Sequence, residues 1–533
     1  EYVTKSFTQG MLLLQLHLFT VLWVGVLPFK ILVYNSRYGH SHSNFMGNIA
    51  DILVDAGHNV TSLIPIIDQR GNDVTVKSKR IIVPMSDETE AFVREKSASR
   101  QDSLFSSLLN PITVFLHRTT FARHFVSQCK TLLDESLLID RLREEQFDVM
   151  IVENFEMCGV ALSHLLNPRS LITASASAPF SYMFEEFGLP LALSFNPSAF
   201  ISTMDVHSMW SRLKNAYAEW LMHAYFYKRR SLVEELCREK FGSDFPSLME
   251  ISSHAAYTLM NTEPLIDIAA PTLSRVINIG GISVKDAKPL NQEWDTALSR
   301  RPYNILISFG SVAKAVKLPV KIKTSIATVI SRFPNVTFIW KYEDLQDSFA
   351  NEVTSSLPNL VLSSWLPQND LLNDNRISAF VTHGGMGSTQ ETALRGKPGI
   401  FVPLFLDQPR NAGMMAHNGL GMVLDKLDLF EPDRVEEAIR EVLYNKTYAE
   451  NARNMGMKLA KKPFGAKEQL IRTVEFAAEF GPSRSLRPQS YDMKFTEYHN
   501  IDILIFSSLG ILVLAHTIMK FLKPIIIIKV KKE

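Results

Sequence analysis

Between residues 29 and 480, short apolar runs alternate with helix-length amphipathic segments, and they do so in two sets. The first set includes residues 29–35, 59–64, 80–83, 148–152 and 170–174, and the second includes 304–309, 336–340, 360–363, 378–382 and 399–402. Runs of four to seven apolar residues without strict alternation read as strands buried on both faces, and their alternation with helices predicts doubly wound α/β sheets. Gly280-Gly281, followed by the polar stretch 284–289 ending in Pro289, is a break between the sets. The pattern therefore predicts two Rossmann-like domains, 29–280 and 281–480, with ligands beyond the carboxyl ends of the strands. No internal repeat or low-complexity tract interrupts them.

Both ends of the chain carry apolar runs of another kind. Residues 11–28 are nearly unbroken apolar and read as the hydrophobic region of a signal peptide; only Lys5 lies upstream, and a buried strand or anchor helix is the competing reading. Residues 503–519 are uncharged and apolar, close to the ~20 residues that cross a bilayer. A spanning helix over 503–522 follows, with 481–502 as a return segment and 523–533 as a lysine-rich tail. Lys520, Lys523, Lys529, Lys531 and Lys532 place the tail in the cytoplasm and residues 29–500 in the lumen. Residues 104–126 mix apolar positions with Arg118, Arg123 and His124, which fits a helix on the luminal membrane surface and a core helix equally well.

Composition changes this picture little. The 533 residues, 46% hydrophobic and 21% charged, suit large cores, and a net charge of +1 offers no basic face for nucleic acid. Cys129, Cys158 and Cys237 match no zinc spacing, permit at most one internal disulfide and read as buried free thiols. Sequons stand at Asn59, Asn335 and Asn445; the first two fall at strand starts, so Asn445 is expected to be the accessible one.

The chemistry concentrates in residues 365–411. The strand 378–382 delivers His383 and Gly384-Gly385 into a helix start, where free N–H groups and close backbone approach at Gly384, Gly385 and Gly387 make an anion site. Glu391, eight residues past His383, is placed to accept from ribose hydroxyls. Trp365 offers a stacking face for a base and Gln368 a reader for its polar edge, while Asp407, Gln408 and Asn411 lie on a loop suited to sugar hydroxyls. In the first domain, His40 and His42 sit at a strand-to-helix turn. Capping, surface exposure, a His-x-His metal pair and general-base chemistry all remain open for them.

The 365–411 block resembles the signature of the UDP-glycosyltransferase family, and nearly the whole chain is similar to its animal membrane-bound branch of UDP-glucuronosyltransferase type, in an invertebrate-like form. The resemblance implies the GT-B fold: an acceptor-binding domain and a UDP-sugar-binding domain facing a cleft. It implies inverting transfer of a hexosyl group, glucuronic acid or glucose, from a UDP-sugar to a small lipophilic acceptor, as in detoxification. It selects His42 over His40 as general base, and at the end of strand 148–152 it selects Glu153 over Glu156 and Asp148 as the carboxylate behind it. The family has aspartate there. It assigns Ser311, in Phe309-Gly310-Ser311, and His383, with Thr382 as a lesser candidate, to the diphosphate. Two departures concern the sugar: Gly387 stands where human glucuronosyltransferases have asparagine, and an arginine able to pair with a glucuronate carboxylate is replaced around Asn261. No Asp-x-Asp is present, so no metal or other cofactor is expected.

The resemblance further implies a glycoprotein of the endoplasmic reticulum membrane, single-pass type I, with Lys529 and Lys531 resembling a dilysine retrieval signal. A homo-oligomer stays open, and acceptor identity is not legible in residues 85–260. A nicotinamide oxidoreductase would need a Gly-x-Gly-x-x-Gly turn after the first strand, which 35–40 lacks. A catalytically silent UDP-sugar-binding regulator is the remaining alternative.

Overall fold

The computed structural model describes residues 28–68, 77–99 and 109–530. The apolar stretch 11–27, residues 104–108, Lys531 and Lys532 lie outside the described residues, and with them the signal-peptide reading and part of the lysine tail.

The amino-terminal apolar runs become β1 (Lys30–Tyr34), β2 (Asn59–Pro65), β3 (Lys79–Val83), β4 (Val149–Glu153) and β5 (Ser170–Ser175), joined by β6 (Tyr257–Met260) and β7 (Val276–Asn278). All pair in parallel, in the order β3-β2-β1-β4-β5-β6-β7. The carboxyl half builds β8 (Tyr303–Ser308), β9 (Val336–Lys341), β10 (Leu360–Ser363), β11 (Ile377–Thr382), β12 (Gly399–Phe401) and β13 (Gly421–Val423) into a second all-parallel sheet, ordered β10-β9-β8-β11-β12-β13. In each sheet the order reverses direction once, beside β1 and β4 and beside β8 and β11. Loops leaving adjacent strands there go to opposite faces and open a crevice, the place where such sheets bind ligands.

Of the helices, ten position the site or its surroundings: α1 (His40–Asp55), α2 (Pro111–Asp134), α3 (Cys158–Leu166), α4 (Ser181–Glu186), α5 (Met209–Phe241), α6 (Gln368–Asn373), α7 (Met386–Leu394), α8 (Gln408–His417), α9 (Ala466–Phe480) and α10 (Ile501–Val530). The 33-residue α5 starts where the Ser208 side chain accepts from Ser211 N–H and stops at Gly242, whose φ of 111° no β-carbon tolerates well. It buries Ala218, Leu221, Met222, Phe226, Val233 and Cys237, which fall on one side of the helix, against α2, α3 and α4.

Two features differ from the sequence expectations. Cys129 of α2 and Cys158 at the start of α3 are disulfide-bonded, so only Cys237 is a buried free thiol. Their separation of 29 residues carried no pairing signal; it is the packing of α2 against α3 that brings them together. The second concerns α9, expected with the second domain by its position in the chain. It packs instead on the first sheet, where Leu470, Val474, Ala477 and Ala478 share a core with Ile31, Val33, Phe45, Ile49 and Val149. Beyond it the chain stays on that domain: Ser490 Oγ donates to the Gly188 carbonyl at 2.9 Å and the Tyr491 hydroxyl to that of Glu186. The Ile501–Phe521 stretch of α10, 21 residues with mean hydropathy 2.1, is long and apolar enough to cross a membrane and buries nothing against the rest of the chain.

Candidate active site

The first domain's half of the site grows out of β1. Its exit loop is held by Asn35, whose Nδ2 donates to the Ser43 carbonyl at 3.2 Å, and Gly39, at φ 64°, turns the chain into α1. That turn aims His42 at the end of the neighbouring β4. His42 Nδ1 lies 2.6 Å from Glu153 Oε1, and the same oxygen accepts from the Ala176 N–H at 3.2 Å. The extra methylene of glutamate therefore does not prevent contact. With Nδ1–H directed to the carboxylate, Nε2 retains its lone pair, the state of a general base. Burial pushes His42 toward its neutral form, but the Glu153 charge and hydrogen bond, together with Asp407, outweigh it and leave the imidazole more basic than usual.

The competing groups are engaged elsewhere. Asp148, at the far end of β4, accepts from the Lys30 N–H at 2.8 Å. Glu156 is fully buried, pushed up to about 7 by desolvation against the opposing hydrogen bond from Tyr34. His40 is held below its usual range by burial and by Lys341 and Lys285, and it is His42 that bonds to Glu153.

Across the crevice, β8 runs into Phe309-Gly310-Ser311 and β11 into His383-Gly384-Gly385. The His383 ring is enclosed by glycines: a β-carbon on Gly310 would stand 2.6 Å from its Cε1, and one on Gly385 2.6 Å from its Nε2. Burial and the Lys341 charge drop its pKa to about 4, so it is neutral at physiological pH despite a bond to the Ser308 backbone. Thr382 is fully buried beneath it, its hydroxyl 3.4 Å from Nδ1, which makes it a brace for the ring rather than a surface for a ligand. Ser311 is exposed at the turn, and a side chain at Gly387 would meet nothing within 4 Å.

Trp365 keeps 61% of its surface exposed, with Lys341 Nζ 5.4 Å from its ring centre. Gln368, opening α6, donates to Glu391 Oε2 and to Ser388 Oγ of α7, so the expected base-edge reader and ribose carboxylate form one hydrogen-bonded unit. Desolvation raises the Glu391 pKa, opposed by that Gln368 bond.

The last three expected residues separate in role. Asp407 projects to the first domain, where its Oδ2 accepts from the Ala178 N–H at 3.4 Å. Asn411 Nδ2 donates to Asp407 Oδ2 at 3.0 Å and to the Gly384 carbonyl at 3.1 Å, and Gln408 Oε1 accepts from the Leu404 and Phe405 N–H groups at 2.9 and 3.1 Å. These two amides fix the loop that carries Asp407. Asn261 is 4% exposed and donates to the Ala176 carbonyl at 2.8 Å, while its own carbonyl accepts from Gln390 of α7. It stitches the domains together.

Sequence reasoning missed Lys341. It ends β9 next to Trp365, donates to the Gly310 carbonyl at 2.8 Å and is less basic than a free lysine because of burial. Its signal was available: a cation at the carboxyl end of a central strand. Among the described residues, no group of three or more His, Cys, Asp or Glu side chains is arranged to hold a metal ion.

The architecture and site can now be set beside known proteins. The family model described as UDP-glucoronosyl and UDP-glucosyl transferase matches residues 29–533. A putative UDP-glucuronosyltransferase of Caenorhabditis elegans, ugt-48, is 28% identical over 486 residues, 89% of this chain and 91% of its own length. The human UDP-glucuronosyltransferase 1A8 is 27% identical over 489 residues, 90% of this chain and 89% of its own. Among solved structures, that of Phytolacca americana UGT2 complexed with UDP-2fluoro-glucose and pterostilbene superposes with a TM-score of 0.57, at 16% identity, over 85% of this chain and all of the other. The calicheamicin glycosyltransferase CalG4 superposes equally well, with a TM-score of 0.57 at 16% identity. At such identities the likeness speaks for the fold alone, which is GT-B.

Proposed function

Because the chain belongs to the UDP-glucuronosyl and UDP-glucosyl transferase family and is a UDP-glycosyltransferase, we propose that it moves glucuronic acid or glucose from the UDP-sugar to a small lipophilic acceptor with inversion at the anomeric carbon. The observation that carries this reading is the 2.6 Å contact between His42 and Glu153, facing the second domain's Asp407 loop across the crevice. His42 Nε2 takes the acceptor hydroxyl proton while that oxygen bonds to the anomeric carbon, and the bond from that carbon to the β-phosphate oxygen breaks with its electron pair leaving on UDP. Glu153 stabilises the imidazolium that results.

On the donor side, Trp365 stacks on the uracil, and the Gln368–Glu391 unit holds uracil edge and ribose. His383, Ser311 and the helix start at Gly384, Gly385 and Gly387 take the diphosphate, with charge supplied by Lys341 in place of a metal ion. Asp407 orients the sugar hydroxyls, and Gln408, Asn411 and Thr382 position the groups around it. Chelation by EDTA is expected to leave the rate unchanged.

Location in the endoplasmic reticulum membrane with luminal catalytic domains is part of the same proposal. The apolar α10, the disulfide and three exposed sequon asparagines support it. The test of function is a donor screen on microsomes containing the full chain, with UDP-glucuronic acid and UDP-glucose offered separately with a panel of phenols. Conjugates heavier by about 176 or about 162 mass units, the increments of one glucuronyl or one glucosyl group per specificity class, identify the donor. UDP binding without conjugate from either donor refutes the reading.

A further inference from the structure

The helices α2 and α5 lie against each other and present two unlike faces. Inward, Phe125 of α2 and Phe226 of α5 make ring contacts with Phe155, which itself packs 4.7 Å from the His42 ring. Outward, α5 exposes Trp210 by 71%, Leu213 by 56% and Trp220 by 54%, together with Met209, Tyr217 and Tyr227. At 100° per residue these six fall within about one third of the helix circumference. Beside them α2 exposes Ile112 and Leu116, joined to the stripe by the Phe115–Trp220 ring contact at 5.7 Å. A contiguous patch of this kind is not the ordinary scatter of single apolar side chains on a soluble surface.

Its composition and its place in the molecule point to one occupant. Tryptophan and tyrosine are the residues favoured at the boundary between water and lipid, and Lys214 and Lys228 lie along one edge of the stripe as cations that suit lipid phosphates. The membrane tether arrives at one end of it. Tyr491 is bonded to the Glu186 carbonyl, Tyr498 lies close enough to Glu185 to feel its charge, and Glu185 accepts from His223 Nε2 of α5 at 3.0 Å, with the Tyr227 ring stacked on His223. The apolar span begins at Ile501, three residues after Tyr498. From Tyr227 to Met209 the stripe then extends about 27 Å along the helix at 1.5 Å per residue.

We propose that the outer face of the α2–α5 pair rests on the phospholipid surface that α10 crosses, with Trp210 and Trp220 at headgroup level, and that lipophilic acceptors reach His42 from the bilayer past this pair. The second half of the proposal rests on the transferase reading; the first does not.

The test uses the full chain in nanodiscs of phosphatidylcholine with one fifth phosphatidylserine, with and without bromine on the upper acyl carbons. Brominated lipid is expected to quench a part of the tryptophan emission that Trp210→Phe/Trp220→Phe removes. Equal quenching in both proteins overturns the lipid contact. So does an absence of quenching accompanied by dimers in single-particle mass measurements, which assigns the face to a second copy. For acceptor entry, Leu213→Ser/Trp220→Ser is expected to raise KM five- to tenfold for an octyl-substituted phenol and leave KM for phenol within twofold. Equal KM for both acceptors in both proteins overturns the entry route. A wild-type chain that conjugates no acceptor refutes the transferase reading, and the quenching result still decides the lipid contact.

Discussion

Glu153 carries one methylene more than the aspartate that the family resemblance leads one to expect there, yet its carboxylate meets His42 and is steadied by the Ala176 N–H. Replacing His42 by alanine is expected to lower kcat roughly 10²–10⁴-fold, the worth of a positioned general base, while calorimetry finds UDP affinity within twofold of the parent. In Glu153→Gln the hydrogen-bonding shape survives and the charge does not. His42 must be unprotonated to act, and the Glu153 carboxylate raises its pKa, so the acid limb of kcat/KM lies at higher pH in the parent. The limb is expected to move to lower pH in the variant, and a profile that stays in place removes Glu153 from the mechanism. On the donor side, Gly385→Ala pushes a methyl group into the His383 ring and is expected to raise KM for UDP-sugar about tenfold, near 1.4 kcal/mol, with the fold intact by circular dichroism.

Strands with a strong buried pattern were legible in the chain, and the three-residue edge strands β7 and β13 were not. β1, β4 and β11 lie within a residue or so of the apolar runs that predict them, because nearly every position in them is inside, and β10, Leu360–Ser363, lies where its run predicts although only Leu360 is buried. Three elements escaped notice, β6, β7 and β13: the last two have only three residues each, and three residues carry no period. The placement of the candidate residues was legible at the carboxyl ends of strands, which is where Trp365, His383 and Glu153 stand. That Asn411 and Gln408 brace the Asp407 loop was not, since a side chain's partner depends on loops folded far away in sequence. The segment 104–126 was ambiguous for a physical reason as well: α2 buries Val114 and Phe125 while exposing Ile112 and Leu116, so both readings of its pattern are present at once. At this scale the Cys129–Cys158 bond fixes α2 to the start of α3, closing a loop across a separation of 29 residues. The double variant Cys129→Ser/Cys158→Ser is expected to lose about 2–4 kcal/mol of stability, read by denaturant titration of the oxidised and variant proteins.

Across the whole molecule, polar contacts join the two domains at several points, among them Asp407 to Ala178, Gln390 to Asn261, the Arg410 N–H to the Ala199 carbonyl at 3.3 Å and the Arg410–Asp267 ion pair at 2.7 Å. The proposed luminal orientation has a direct consequence for glycosylation. Asn59, Asn335 and Asn445 are all exposed, against the expectation that strand starts would hide the first two. In microsomes each is expected to carry a glycan, so PNGase F collapses the band in three steps, and each Asn→Gln variant removes one of them. A chain with no glycan at any of the three sites contradicts the luminal orientation.

The crossing of α9 back to the first sheet also sets an order of events during synthesis. The apolar surface formed by Ile31 and Val33 of that sheet with Phe45 and Ile49 of α1 is covered by Leu470, Val474 and Ala477, residues the ribosome delivers some four hundred positions later. Burying the leucine and valine contributes roughly 1.5–3 kcal/mol apiece. Until they emerge, the nascent amino-terminal half waits with an open apolar flank while the second half is translated and folds behind it. The half made first is thus the half finished last, and its final piece arrives only as the membrane span is about to leave the ribosome.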